Sequence, residues 1–315
     1  FAAAARKRQA LKDQLALDPP STVYARETEA LRGEIARLFG APAGAAVVLA
    51  ASGTDLHLLA AQLVAAGGRA PPLVLMGEPV ETGSDVPAAL AGLSFCAGAS
   101  FPRGVGDAAA QSEVIPGASP CEVVRIVPRA GARGLAGAEA EIEARADAAV
   151  EAGRRVLVVI ADVSKTGRTG PGLAVALALK RRHRSAVEVL IDACQARLAP
   201  ATARACLDRG AMVAVTGSKF IGGPAFSAAL LVPQAAAARF CNIVLPAGLG
   251  VRTAAADWPA DWAAGAALEP AANFGLLLRW TAAMEELLAF RALPDEEVAS
   301  FLAGLVFPGE AALLV

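Results

Sequence analysis

Histidine is nearly absent from this chain: His57 and His183 are the only two in 315 residues. That scarcity argues against a histidine-ligated catalytic metal, and against most serine–histidine hydrolases, which need an imidazole base beside the nucleophile. Cysteine is also sparse. Cys96, Cys121, Cys194, Cys206 and Cys241 are odd in number and form no C-x-x-C pair. Neither a disulfide framework nor a zinc site is expected, and a reduced, cytoplasmic compartment is. No excess of one charge exists either. The 29 basic and 30 acidic residues leave a formal charge of −1, so neither nucleic acid nor an anionic membrane surface is an expected partner. Mean hydropathy is +0.48, yet much of the apolar content is alanine, and no run of about eighteen apolar residues is free of charge and proline. The stretch 222–238 is broken by Pro224, Pro233 and Gln234, so no membrane span is expected. No basic region followed by a short apolar core opens the chain, so no signal peptide is expected. The chain begins at Phe1 rather than Met, and its natural N-terminus is expected to lie upstream.

What is present is an alternation of short apolar bursts and alanine-rich helical stretches. Strands are expected at 45–50 (AAVVLA), 72–76 (PLVLM), 122–127 (EVVRIV), 155–161 (RVLVVIA), 187–192 (VEVLID), 211–216 (AMVAVT) and 228–232 (AALLV). These runs are continuous rather than alternating, as strands are when helices cover both faces of a mostly parallel sheet. Between them, 54–66 carries Leu56, Leu59, Ala60 and Leu63 at helical spacing. Helices are also expected over 136–153, 173–184 and 201–209. The implied architecture is a three-layer α/β/α domain over 41–255. A charged helical segment, 1–40, precedes it, with a break at Asp18-Pro19-Pro20. Helices over 256–315 follow, as a linker and the start of a smaller domain.

The chemistry concentrates in 187–233. One strand ends in Asp192-Ala193-Cys194-Gln195, and the next ends in Thr216-Gly217-Ser218-Lys219, followed by Gly223-Pro224. Ligands in open α/β sheets bind outside the carboxyl ends of the strands, so an amine and a carboxylate at neighbouring strand tips can grip one ligand. Upstream, Ala51-Ser52-Gly53-Thr54-Asp55 joins the first strand to a helix. Small residues there admit close backbone approach, and the free N–H groups of a helix start favour an anion such as phosphate. Taken alone, that turn reads as an N-cap with Ser52 or Thr54 capping. The order Gly-Ser-Lys with glycines after the lysine does not meet the phosphate-loop pattern.

Together the three pieces resemble the fold-type-I pyridoxal-phosphate (PLP) enzymes, and within them the branch of class V aminotransferases and cysteine desulfurases. That branch carries a Ser-Gly-Thr-like turn, an Asp-x-x-Gln motif, and Ser-Gly-His-Lys followed by Gly-Pro. The resemblance covers roughly residues 40–255. It implies a PLP-transferase fold with a smaller C-terminal α/β domain, incomplete in this chain, and an enzyme using pyridoxal 5′-phosphate on an amino acid or related amine. Lys219 would form the Schiff base and Asp192 would pair with the ring nitrogen. Gly53 and Thr54 would bind phosphate through their backbone beside Ser52, Thr216 and Ser218 would help hold it, and Gln195 would lie near the ring hydroxyl. Ser164, in the 162–171 loop, is the candidate for a polar group on that hydroxyl. Where the family stacks a ring on the cofactor, this chain has only Glu81 and Thr82, and Thr82 is taken as a cofactor contact. The segment 248–253 sits where the family sends a loop to the partner subunit, implying a homodimer with the site at its interface, and Arg252 is a candidate for a substrate carboxylate.

Departures narrow the chemistry. Ser218 replaces the histidine that often precedes the lysine. His57, one turn into the helix after Thr54, reads as structural rather than ring-stacking. No cysteine follows Cys241, so a desulfurase mechanism is not supported within this chain. Transamination and Cα/Cβ lysis both stay open. A non-catalytic protein of the PLP fold is the main alternative. A nucleotide-binding oxidoreductase is the lesser one, since Gly104 to Gly106 is the nearest approach to its glycine fingerprint and follows no strand.

Overall fold

A computed structural model describes residues 2–66, 68–95, 113–126, 134–163 and 172–305. Seven strands form one sheet in the order β1-β7-β6-β5-β4-β2-β3. They are β1 Ala46–Ala50, β2 Leu73–Met76, β3 Glu122–Arg125, β4 Val156–Ala161, β5 Val187–Ala193, β6 Met212–Thr216 and β7 Ala228–Val232. Each falls within a residue or two of its apolar burst. The β2–β3, β2–β4, β4–β5 and β5–β6 pairs are parallel. Only β7 runs against the rest, antiparallel to both β1 and β6. The carboxyl ends of the other six strands therefore share one edge of the sheet with the start of β7.

Both faces are covered, which is why the strands read as unbroken apolar runs. Alternate residues of one strand serve different cores. Val156, Val158 and Ile160 face one side and Leu157 and Val159 the other. On the first side lie α1 Ala2–Leu15, α2 Pro20–Leu38, α5 Gly134–Glu151, α6 Leu173–His183, α7 Pro200–Asp208 and α9 Phe274–Arg291. On the second lie α3 Gly53–Ala65, α4 Val86–Leu90 and α8 Gln234–Phe240, with Trp258 and Trp262. This is the expected three-layer arrangement. Pro20 opens α2 at a position where its missing N–H costs nothing. Helix α10, Asp295–Leu305, follows α9. No helix among the described residues is long and apolar enough to cross a membrane.

Helix α3 positions the site. Its residues from Asp55 to Ala65 are all buried, most of them apolar, with Asp55, His57 and Gln62 as buried polar exceptions. Leu56, Leu58, Leu59 and Leu63 are each 0% exposed, and each such burial contributes about 1.5–3 kcal/mol. The helix start is thereby held rigidly beside the tips of β1, β5 and β6.

Candidate active site

A cleft of about 330 Å³ opens at the carboxyl edge of the sheet. Ser52, Gly53, Thr54, Thr82, Asp192, Gln195, Thr216, Ser218 and Lys219 all line it. Three separate stretches of sequence thus meet in one hollow. Ser164 lies outside the described residues, as does most of its loop. Among the described residues no cluster of histidine, cysteine and acidic side chains is arranged to hold a metal.

The first wall is the β1–α3 turn. Ser52 caps the helix: the Asp55 N–H donates to its Oγ at 3.1 Å, and its hydroxyl donates to Asp55 Oδ2 at 2.6 Å. The Ser52 hydroxyl is committed to the cap, so what the turn offers a ligand is the backbone. The N–H groups of Gly53 and Thr54 sit in the first helical turn, where no helical carbonyl is available to them. Gly53 is required by close approach. A Cβ there would lie 2.7 Å from Cys194 Sγ.

The second wall is the end of β5. The Asp192 side chain is 11% exposed. Burial alone would push its carboxyl up, but the His57 imidazole and the Cys194 backbone N–H, 3.2 Å from Oδ1, hold it down to about 2. The same burial, with Asp192 beside it, raises the Cys194 thiol well above its ordinary range. Burial and the charge of Asp192 also raise Asp162.

The third wall is the turn after β6. Thr216 donates its hydroxyl to the Cys194 carbonyl at 2.6 Å, and Ser218 donates to Thr216 Oγ1 at 3.3 Å. The Phe220 N–H donates to the Gln195 carbonyl at 3.3 Å, which ties the lysine turn to the aspartate turn. Lys219 itself has φ +68°. A non-glycine residue in the left-handed region costs on the order of 1 kcal/mol or more and collects at functional sites. Phe226, across the cleft, shares the feature at φ +65°.

Two buried polar atoms on this cleft lack a hydrogen-bond partner: Thr82 Oγ1 and His57 Nε2. Orphaned polar atoms are costly; Thr82 Oγ1 faces the hollow and is readied for a ligand, whereas His57 Nε2 lies 3.4 Å from Asp192 Oδ2. Cleft size, charged carboxylate, amine, helix-start N–H groups and unpaired hydroxyl all fit an aromatic aldehyde carrying a phosphate. Cys194, His57 and the 225–227 segment also line the cleft and were not read from the motifs. For Cys194 the available signal was its place inside the Asp-x-x-Gln motif. Arg252 is placed elsewhere: its guanidinium stacks on the Phe95 ring at 4.4 Å, and Asp55 feels its charge.

No protein-family model matches the chain, and no curated protein does. Solved structures do. A cysteine desulfurase from Escherichia coli aligns at 15% identity and TM-score 0.49, over 89% of this chain and 60% of that one. An alanine–glyoxylate aminotransferase from Nostoc sp. aligns at 12% and 0.49, over 90% and 62%. A serine palmitoyltransferase from Sphingomonas wittichii aligns at 12% and 0.44, over 86% and 58%. The chain thus spans less than two thirds of the length of each of these proteins.

Proposed function

We propose that this chain is a PLP-dependent enzyme acting on an amino acid or related amine, by transamination or Cα/Cβ lysis. One observation carries the proposal: Asp192, held charged, and Lys219, an amine on a strained turn, line one cleft beside the open N–H groups of Gly53 and Thr54. When bound, the cofactor supplies an electron sink for the carbanion left by the substrate.

The chain's own residues divide the work. The Lys219 amine would hold the cofactor at its aldehyde end and would carry the proton at the substrate carbon. Asp192 keeps a proton on the ring nitrogen, which a carboxylate held well below the usual range does across the working pH. Gly53 and Thr54 bind the phosphate through backbone N–H groups at the start of α3, and the hydroxyls of Ser218 and Thr216 would turn from their internal acceptors to donate to it. Thr82 and Gln195 contact the ring and its hydroxyl, and Ser164 is proposed for the same hydroxyl. Residues 41–255 form the cofactor-binding domain, and two copies of the chain close the site as a homodimer.

The test is spectroscopic. Chain purified with pyridoxal phosphate is expected to be yellow, with a near-visible band that Lys219→Ala abolishes. Protein that stays colourless at saturating cofactor overturns the proposal. A screen of amines against the coloured protein separates an enzyme, whose band shifts with its substrate, from a non-catalytic relative, whose band does not move. Keto acid or ammonia among the products then distinguishes transamination from lysis.

A further inference from the structure

We infer that His57 is the positioning residue of this site: fixed at one ring nitrogen by its own helix, it faces Asp192 with the other, and the two share one proton that keeps the carboxylate charged for the cleft. The inference rests on Asp192 being the partner of a ring nitrogen.

The geometry leaves few arrangements. His57 is 1% exposed on the inner side of α3. Its Nδ1 lies 2.7 Å from the Gly53 carbonyl oxygen. A carbonyl can only accept, so Nδ1 carries a hydrogen, and the atom left to titrate is Nε2. That atom sits 3.4 Å from Asp192 Oδ2, near enough for charge attraction though not aligned as a hydrogen bond. A neutral ring would turn a lone pair toward a carboxylate oxygen in a nearly closed wall, two acceptors face to face. A proton on Nε2 converts that repulsion into an ion pair.

Opposing influences are present and are overcome. Burial disfavours an imidazolium, and so does the start of α3, whose dipole presents positive charge. Burial is the largest single influence, but the charge and polar contact of Asp192 and the Gly53 carbonyl together exceed it and raise His57 above the ordinary histidine value, while Asp192 falls to about 2. The other ionisable groups around the pair are Asp162 and Cys194 beside Asp192, Lys219 beside Cys194, and Glu81 and Asp85 across the opening. A charged Asp162 would reinforce the imidazolium, and the Lys219 ammonium would oppose it. Another buried polar atom without an aligned partner, Thr82 Oγ1 of the 81–86 segment, lines the same hollow. The pair is thus built against a ligand rather than into the core.

With only two histidines in the chain, nitrogen-15 resonance on histidine-labelled protein reads this directly, and His183→Gln leaves a single imidazole. Without added cofactor, His57 is expected to carry its fixed hydrogen at Nδ1, to titrate at Nε2, and to do so above the ordinary histidine value. In Asp192→Asn only the Gly53 carbonyl still opposes burial, which is the larger influence, and the same ring is expected to titrate below that value. An unchanged titration in Asp192→Asn, or a fixed hydrogen at Nε2 instead, overturns the inference. A second measurement uses His57→Gln with pyridoxal phosphate in equilibrium dialysis. Retention is expected to weaken about tenfold, by analogy with a metal site that loses the outer-shell partner of one of its ligands, while the Lys219-dependent colour persists at saturation. Retention equal to wild type also overturns it. If wild type takes up no pyridoxal phosphate, the proposed function falls, and the resonance titration still decides whether the pair shares a proton. If His57→Gln does not fold, that titration in wild type and Asp192→Asn decides alone.

Discussion

Asp257 illustrates what burial does to one carboxyl away from the cleft. It is 1% exposed and is held by three donors: Tyr24 Oη at 2.7 Å, the Ala254 N–H at 2.8 Å and, more distantly, Thr253 Oγ1 at 3.4 Å. These partners do not offset the loss of water, and burial raises its pKa from 3.8 to about 6. The folded chain therefore binds this proton more tightly than the unfolded chain. Its contribution to stability is fully present below about pH 4, and is lost as pH rises through about 6. The loss is on the order of 3 kcal/mol. Asp257→Asn keeps an acceptor for Tyr24 and removes the titration. Urea unfolding at about pH 5 and about pH 8 is expected to show wild type losing stability relative to the variant at the higher pH. Parallel behaviour of the two proteins would mean that Asp257 is not a shielded acid.

Elements are held to one another by close approach as much as by apolar area. The turn that carries Lys219 runs from Gly217 to Gly223 against helix α9. A Cβ at position 223 would lie 2.5 Å from Ala283 Cβ and 2.5 Å from the Gly217 carbonyl oxygen. Neither neighbour can swing aside, so Gly223→Ala must push α9 off the turn. Overpacking of this kind costs about 1–3 kcal/mol, and the urea midpoint is expected to fall accordingly. An unchanged midpoint would mean that α9 is not seated on the lysine turn. The sequence disclosed this element layout well in some places and poorly in others. All seven strands announced themselves, because residues such as Leu157 and Val158 are buried on opposite faces and leave no polar gap. The direction of β7 did not, since an apolar run such as Ala228 to Val232 is equally apolar read either way. Helix α4 is five residues long and carries too little periodicity to see. In the cleft, Asp192, Lys219 and the turn at Gly53 were legible because their chemistry is polar and their strands are short. The contact of His57 with Asp192 was not. On a helix where Leu56, Leu58 and Leu59 are all buried, one more buried side chain reads as core, and its partner lies far along the chain.

At the scale of the whole molecule the cleft is a junction. Its lining comes from β1 and α3, the 81–86 segment, β4, β5 and β6, and so from stretches of chain that unfolding would scatter. Any ligand that bridges them binds the folded state alone and stabilises it by mass action, by about 2.7 kcal/mol at a free concentration a hundred times its dissociation constant. Pyridoxal phosphate is therefore expected to raise the thermal midpoint of the chain in proportion to the logarithm of its concentration. Lys219→Ala removes the proposed covalent anchor but leaves the proposed phosphate site at Gly53 and Thr54, so part of the shift should survive in it. Asp192→Asn keeps Lys219 and should retain a part as well, whereas changing both residues together should leave only the small shift that the turn at Gly53 and Thr54 supplies alone. A midpoint that rises equally in wild type and in the double variant would locate the binding outside this cleft. A graded loss, with each single variant between the two limits, is what a ligand gripped from several strand tips at once requires.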